Sequence, residues 1–261
     1  MRRWSWATLF GVGDDGDPGS SRPAQPLARH GSAIPTRAIP QGGAAASPVP
    51  VHRSVSHEET RCDLCRRPGD IAALVLTHAH FDHLGVARQL RDRLQVPVSA
   101  PEQEHYLVAH PYRYAHENMR GVYPLRYPRA MPILGAMARA AALTVKGVSG
   151  VRPLDNGVAL DVPGSPRVDL SPGHTFGDCA LHLPERTCSS AATCWVTLDP
   201  YTAHTGPRII AGAATTDSAM ALRSLNLLAA TGAGTVLAGH GESRRGGVRA
   251  VVDLARSAGP S

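Results

Sequence analysis

Three histidines and a carboxylate fall within six positions at His78, His80, Asp82 and His83, in the run Thr77-His-Ala-His-Phe-Asp-His-Leu-Gly85. Neutral imidazole and carboxylate are the ligands that suit zinc and related divalent ions. Crowded together without a cation, such groups repel one another or leave buried donors unpaired. A lone histidine is more often a core or surface residue, but this cluster reads as a metal site. Two later histidines lie in glycine-bounded turns, His174 in Ser171-Pro-Gly-His-Thr-Phe-Gly177 and His240 in Leu237-Ala-Gly-His-Gly241. Flanking glycines let the backbone turn sharply and let a side chain reach into a crowded site. Singly, each is an ordinary turn histidine. With the first cluster they make two groups of three.

The elements that must aim these side chains are legible as periodicities. The apolar run Ile71–Leu76 predicts a strand that ends at the cluster. Leu84, Val86, Ala87, Leu90 and Leu94 predict a helix over 83–94, with Asp82 placed to cap it as well as to bind metal. A strand is expected over 96–99, then a helix opened by Pro101 and running to about Val108. Tyr112, Tyr114, Tyr123 and Tyr127 lie among prolines and arginines, as a lid facing a substrate or as rings packed in a loop. A helix is expected over 129–142, and strands over 158–162, 167–170, 179–183 and 195–198. A helix over 216–231 starts near Asp217 and stops at Gly232, followed by a strand over 235–238 and a last helix over 247–256. Alternating strands and helices indicate an α/β architecture.

Residues 11–50 are rich in Pro, Gly, Ser and Ala without sustained period, and the texture changes at Gly69. The chain therefore divides into a low-complexity segment, 1–68, disordered or aberrant, and a domain over 69–261. The net charge of +6 comes almost entirely from scattered arginines, with Lys146 the single lysine, and no basic stripe interleaves with aromatics. Nucleic acid is not an expected partner. The apolar stretch after Met1-Arg-Arg is short and runs into acidic residues, so it makes a poor export signal. No apolar run is long enough for a bilayer, and the expected location is cytoplasmic. Five cysteines without an export signal argue against a disulfide framework. Cys62 and Cys65 have the spacing of half a zinc knuckle or of a redox pair but lack a second Cys/His pair, and read as two unremarkable thiols.

Taken together, Thr77–Gly85, Pro172-Gly-His-Thr175 and Gly239-His-Gly241 resemble the metallo-β-lactamase fold superfamily, from about Gly69 to the C-terminus. The resemblance implies a four-layer αββα sandwich with metals at one edge of its two sheets. It implies that His78, His80 and His174 bind a first metal and Asp82, His83 and His240 a second. Zn2+ is the expected cofactor, as one or two ions, with iron as the alternative. The implied function is a zinc-dependent hydrolase in which a metal-bound hydroxide attacks a small ester, thioester or lactone, with Asp82 as the catalytic group that orients the water or takes its proton. The alternatives are a degenerate metal-binding relative with little turnover, or an iron-dependent oxidoreductase on the same fold. A small molecule is the expected substrate, and the sequence leaves the oligomeric state open.

The chain departs from the family in two places. Residues 1–68 show no strands for the first sheet, which is expected to be incomplete. The family's bridging Asp is missing from Thr187–Trp195, a stretch that is neither acidic nor strand-like. Asp199 lies six residues beyond its expected place, Thr193, a displacement of about 20 Å along a strand. If its serines use TCN codons, the same nucleotides read one base earlier give an apolar run followed by positions that admit Gly and then Asp, with the Asp at Thr193. The hypothesis that follows is a segment translated between two compensating indels. Resequencing the gene tests it, and an unbroken frame shared by close relatives would sink it.

Overall fold

The computed structural model describes residues 7–11, 71–139, 143–162, 164–184, 188–191 and 194–261. Strand β1 (Ala7–Gly11) runs antiparallel to β2 (Ile71–Leu76), with Ala7 opposite Leu76. The first sheet thus gains an edge strand from the segment in which none was expected. Strand β2 is apolar at every position because both faces are covered. Leu74 and Leu76 pack toward helices, while Val75 faces the second sheet.

The chain then turns through the short helix α1 (Phe81–Leu84), breaks at Gly85 and Val86, and resumes as α2 (Ala87–Leu94). The single helix expected over 83–94 is therefore two. Asp82 is inside α1 rather than at its cap, and no side chain caps that helix. Strand β3 (Val98–Pro101) lies parallel to β2, two residues later than expected. A 3-10 turn, Glu102–Glu104, leads into α3 (His105–Ala109). Two further helices, α4 (Tyr123–Arg126) and α5 (Met131–Arg139), precede β4 (Arg152–Leu154), which completes the sheet in the order β1-β2-β3-β4. The strand expected over 158–162 is reduced to one bridge, Ala159 to Arg167.

The second sheet begins with β5 (Arg167–Leu170), β6 (Cys179–Leu183) and β7 (Cys188–Ala191). A separate ribbon of β8 (Val196–Leu198) and β9 (Thr205–Arg208) follows, then helix α6 (Ser218–Ala230). Strands β10 (Thr235–Leu237) and β11 (Arg244–Arg245) complete the sheet in the order β11-β10-β7-β6-β5, and α7 (Val248–Ala258) ends the fold. Strand β7 corrects the expectation that Thr187–Trp195 is not strand-like. Cys-Ser-Ser-Ala has little β propensity, but it is paired on both sides, antiparallel to β6 and parallel to β10. A ladder on both sides overrides local preference. Thr193 lies outside the described residues, as do Cys62, Cys65 and His57.

Three apolar clusters define the layers. Leu74, Leu76, Leu84, Ala87, Val98, Leu107 and Val108 join the first sheet to α1, α2 and α3. Val75, Leu154, Val168, Cys179 and Leu181 fill the space between the sheets. Ala180, Trp195 and Val236 meet Leu225 and Leu228 of α6 and Val248, Val251, Val252 and Ala255 of α7. The result is helix, sheet, sheet, helix, the αββα order. Both outer helices present the i, i+3, i+4, i+7 spacing of a buried stripe. No helix among the described residues is long and apolar enough to cross a membrane.

Candidate metal centre

Each histidine is delivered by a turn that the backbone holds from two sides. The loop after β2 is tied to the second sheet by Cys179 N–H donating to Thr77 O at 3.0 Å. The His174 turn docks on the start of α6, where Thr216 N–H donates to His174 O at 3.1 Å and Asp217 N–H to Gly173 O at 2.9 Å. Gly173 is required there: its φ is +138°, and a Cβ would sit 2.2 Å from Ala221 N. Asp217 fixes α6 in turn by accepting from Met220 N–H at 2.6 Å. The His240 turn is held against β8 by Thr197 N–H donating to His240 O at 2.8 Å.

These turns bring all six expected residues together, in two groups. His78, His80 and His174 form one and Asp82, His83 and His240 the other, and within each group the ligand atoms lie within 4.8 Å of one another. Ring centroids are 5.0 Å apart for His78 and His80, 4.9 Å for His78 and His174, and 4.5 Å for His80 and His174. Asp82 Oδ2 lies 3.5 Å from His83 Nε2 and 3.3 Å from His240 Nε2. The centroids of His78 and His83, one from each group, are only 3.8 Å apart, so the two groups adjoin.

The electrostatics fit bound cations. Burial pulls the pKa of His80 down to about 3 and that of His83 to about 4, against the partial support of Asp82. Burial and neighbouring imidazoles likewise pull His78 and His174 well below the usual histidine range. These rings are neutral at physiological pH, the form that ligates metal. Burial opposes ionisation of Asp82, yet His83 and His240 hold its carboxyl well below the ordinary carboxylate range. His80 Nε2 and both ring nitrogens of His83 are buried without a hydrogen-bond partner. Orphaned imidazole nitrogens at the centre of a converging set are what divalent cations satisfy.

Asp199 does not supply the missing bridge. Its carboxylate accepts Tyr201 N–H at 2.8 Å and Ala211 N–H at 3.1 Å, tying the loop after β8 to the segment that follows β9, and it belongs to neither group. Asp178, unassigned in the sequence, stands behind the centre with Oδ1 3.6 Å from His78 Nδ1. It is placed to orient that ring.

Glu104 is the residue that motif reading misses. It is fully buried, and its Oε2 accepts Ala79 N–H at 2.8 Å while Oε1 accepts Gly177 N–H at 2.9 Å. One carboxylate thus fastens the His78–His83 loop to the His174 loop. The only trace in the sequence is an acidic residue beside a predicted strand end. In Glu104→Gln the amide group must set its own N–H against one of those donors. The expected cost is about 1–3 kcal/mol in denaturant unfolding. Metal held by the group that spans both loops should bind roughly tenfold or more weakly. Metal affinity unchanged in that variant would remove the clamp role.

Of the four loop tyrosines, Tyr114 reaches the centre, its ring tilted against His80 at 4.0 Å, and Tyr123 is buried. Tyr112 stacks on Phe81 at 5.6 Å and is exposed, and Tyr127 packs on Tyr123 at 5.7 Å. Tyr114 and Tyr201 approach hydroxyl to hydroxyl at 3.4 Å. These contacts favour ring packing over a mobile lid. The centre opens into a cleft lined by His80, Asp82, His174 and His240 together with Phe81, Met137, Pro200, Tyr201, Ile210 and Ala214.

The chain is similar to proteins already described. The model of the metallo-beta-lactamase superfamily matches residues 54–192, more than half of the chain. Among solved structures, a metallo-beta-lactamase family protein from Thermus thermophilus is 25% identical with a TM-score of 0.52. The match covers 74% of this chain but only 62% of the other. TTHA1623, solved in a di-iron-bound form, is 25% identical over 77% of this chain and 84% of its own, with a TM-score of 0.50. A metallo-beta-lactamase from Cronobacter sakazakii shares the fold at 18% identity and a TM-score of 0.52, over 77% of this chain and 75% of its own. A search of curated protein sequences gives no match.

Proposed function

Since the chain belongs to the metallo-beta-lactamase superfamily, whose members are generally metal-dependent hydrolases, we propose that it hydrolyses a small ester, thioester or lactone. The observation that carries this reading is the pair of adjoining ligand groups at the floor of a cleft. His78, His80 and His174 would hold one divalent ion, and Asp82, His83 and His240 a second. Such ions supply Lewis acidity and acidify a coordinated water. The donor set suits zinc, and iron is the alternative, a choice given weight by the di-iron form of TTHA1623.

The chain's own residues do the rest. The imidazoles, kept neutral by burial, present lone pairs rather than protons. Asp82 is about a quarter exposed and so reaches the cleft, where its Oδ2 can accept a hydrogen bond from an attacking water and orient it. Phe81, Ile210 and Tyr201 line one side of the cleft with apolar surface, and a substrate seated against them would displace water and strengthen charge interactions at the centre.

The test is hydrolysis of a panel of p-nitrophenyl esters, thioesters and lactones by zinc-loaded and chelator-treated protein. Turnover that depends on added metal supports the proposal. Absence of turnover across the panel with metal fully loaded would overturn it in favour of a binding-only relative. Oxygen consumption by the iron-loaded protein tests the oxidoreductase alternative.

A further inference from the structure

We infer that the cleft selects a neutral, apolar acyl group and disfavours anionic substrates. The inference deepens the hydrolytic reading and rests on it for the identity of the group as acyl. Apart from metal-binding side chains, the walls are Phe81, Met137, Pro200, Tyr201, Ile210 and Ala214. None carries a charge. The one hydroxyl among them, on Tyr201, is turned to within 3.4 Å of Tyr114.

A carboxylate or phosphate tail lying along these walls, beyond the metal ligands, would need a cation in the wall itself, and Arg120 is engaged elsewhere. Arg120 lies behind Tyr114, with its guanidinium 4.0 Å over that ring. Its Nε donates to Ala213 O at 3.2 Å and an Nη to Tyr114 O at 3.3 Å. It braces the wall rather than lining the cleft. Burying an unpaired anion against apolar walls is costly, while burying methylenes there is favourable.

Met137 is the selective element. It comes from α5, a helix with no fully buried residue, so α5 is not needed to complete the core. Ile133, Leu134 and Met137 on this helix are each only partly exposed. A thioether is flexible and polarisable, and it adapts to chains of different length. An α5 that is apolar yet not buried in the core serves as a wall for a ligand.

Hydroxamates anchor on metal through one headgroup and carry any tail, so they read the cleft without turnover. Calorimetry on the zinc-loaded full chain would compare acetohydroxamate, hexanohydroxamate and the monohydroxamate of succinic acid. Hexanohydroxamate is expected to bind about tenfold or more tightly than acetohydroxamate, since each buried methylene adds to affinity. The succinyl compound is expected to bind no better than acetohydroxamate. Met137→Lys should lower hexanohydroxamate affinity about tenfold and raise that of the succinyl compound, leaving acetohydroxamate within about twofold as the control for fold and metal.

Equal binding of the apolar and anionic tails by the wild-type protein would overturn the inference, and so would an unchanged tail preference in Met137→Lys. The two readings fail separately. Tail selectivity without turnover on any ester would sink the hydrolase and support the cleft assignment. Turnover with a flat tail preference would do the reverse.

Discussion

Asp82→Asn is expected to lower kcat/KM by roughly 10²- to 10⁴-fold while leaving the fold and one bound metal in place. Asparagine keeps the shape of the side chain and one acceptor oxygen. It removes the charge that His83 and His240 face at 3.5 and 3.3 Å, and with it the only anionic donor of the second group. The first group contains no carboxylate and loses nothing directly. Steady-state turnover, metal content and the denaturant midpoint separate the effects. A variant that turns over within about tenfold of wild type would show that neither the second ion nor this oxygen is needed.

Chelator-treated protein is expected to be acid-labile. In the unfolded chain the imidazoles take up a proton near 6.5, but in the fold burial delays protonation of His83 to about 4 and of His80 to about 3. Between those values the unfolded state binds more protons, so stability falls as pH falls from 6.5 toward 4. Each such histidine contributes about 1.4 kcal/mol per pH unit across that window. Two titrating together remove about 3 kcal/mol per unit, a large share of a total stability of about 5–15 kcal/mol. Asp82 acts in the same direction but lower: its stabilisation is lost only as pH falls below about 3.8. Urea midpoints measured with chelator from neutral pH down to about 4 check this, and zinc at neutral pH should raise them. A midpoint that does not move with pH would mean the rings are not buried as neutral bases.

The centre was legible because its chemistry is local. His78 to His83 are adjacent in the chain, and the turns of His174 and His240 are marked by glycines that a close backbone approach requires. The outer helices were legible for a similar reason, with Asp217 at one start and Val248, Val251, Val252 and Ala255 on one face. What escaped depends on partners distant in sequence. Strand β7 exists through its neighbours β6 and β10, and β1 through β2. Glu104 acts on Ala79 and Gly177, which lie 25 and 73 residues away, so no spacing rule points to it. The break at Gly85 and Val86 that frees Asp82 from a capping role interrupts a pattern whose apolar spacing continues straight across it.

The most direct test of the central claim is a count of divalent transition ions per chain by elemental analysis, on wild type and on His78→Ala, His174→Ala and His57→Ala. The expected result is tightly held metal in wild type and in His57→Ala and its loss from the first group in the other two. Thr193→Asp should raise occupancy of the second group. Wild-type protein that retains no metal, or equal metal in all three histidine variants, would contradict a metal centre built from these residues.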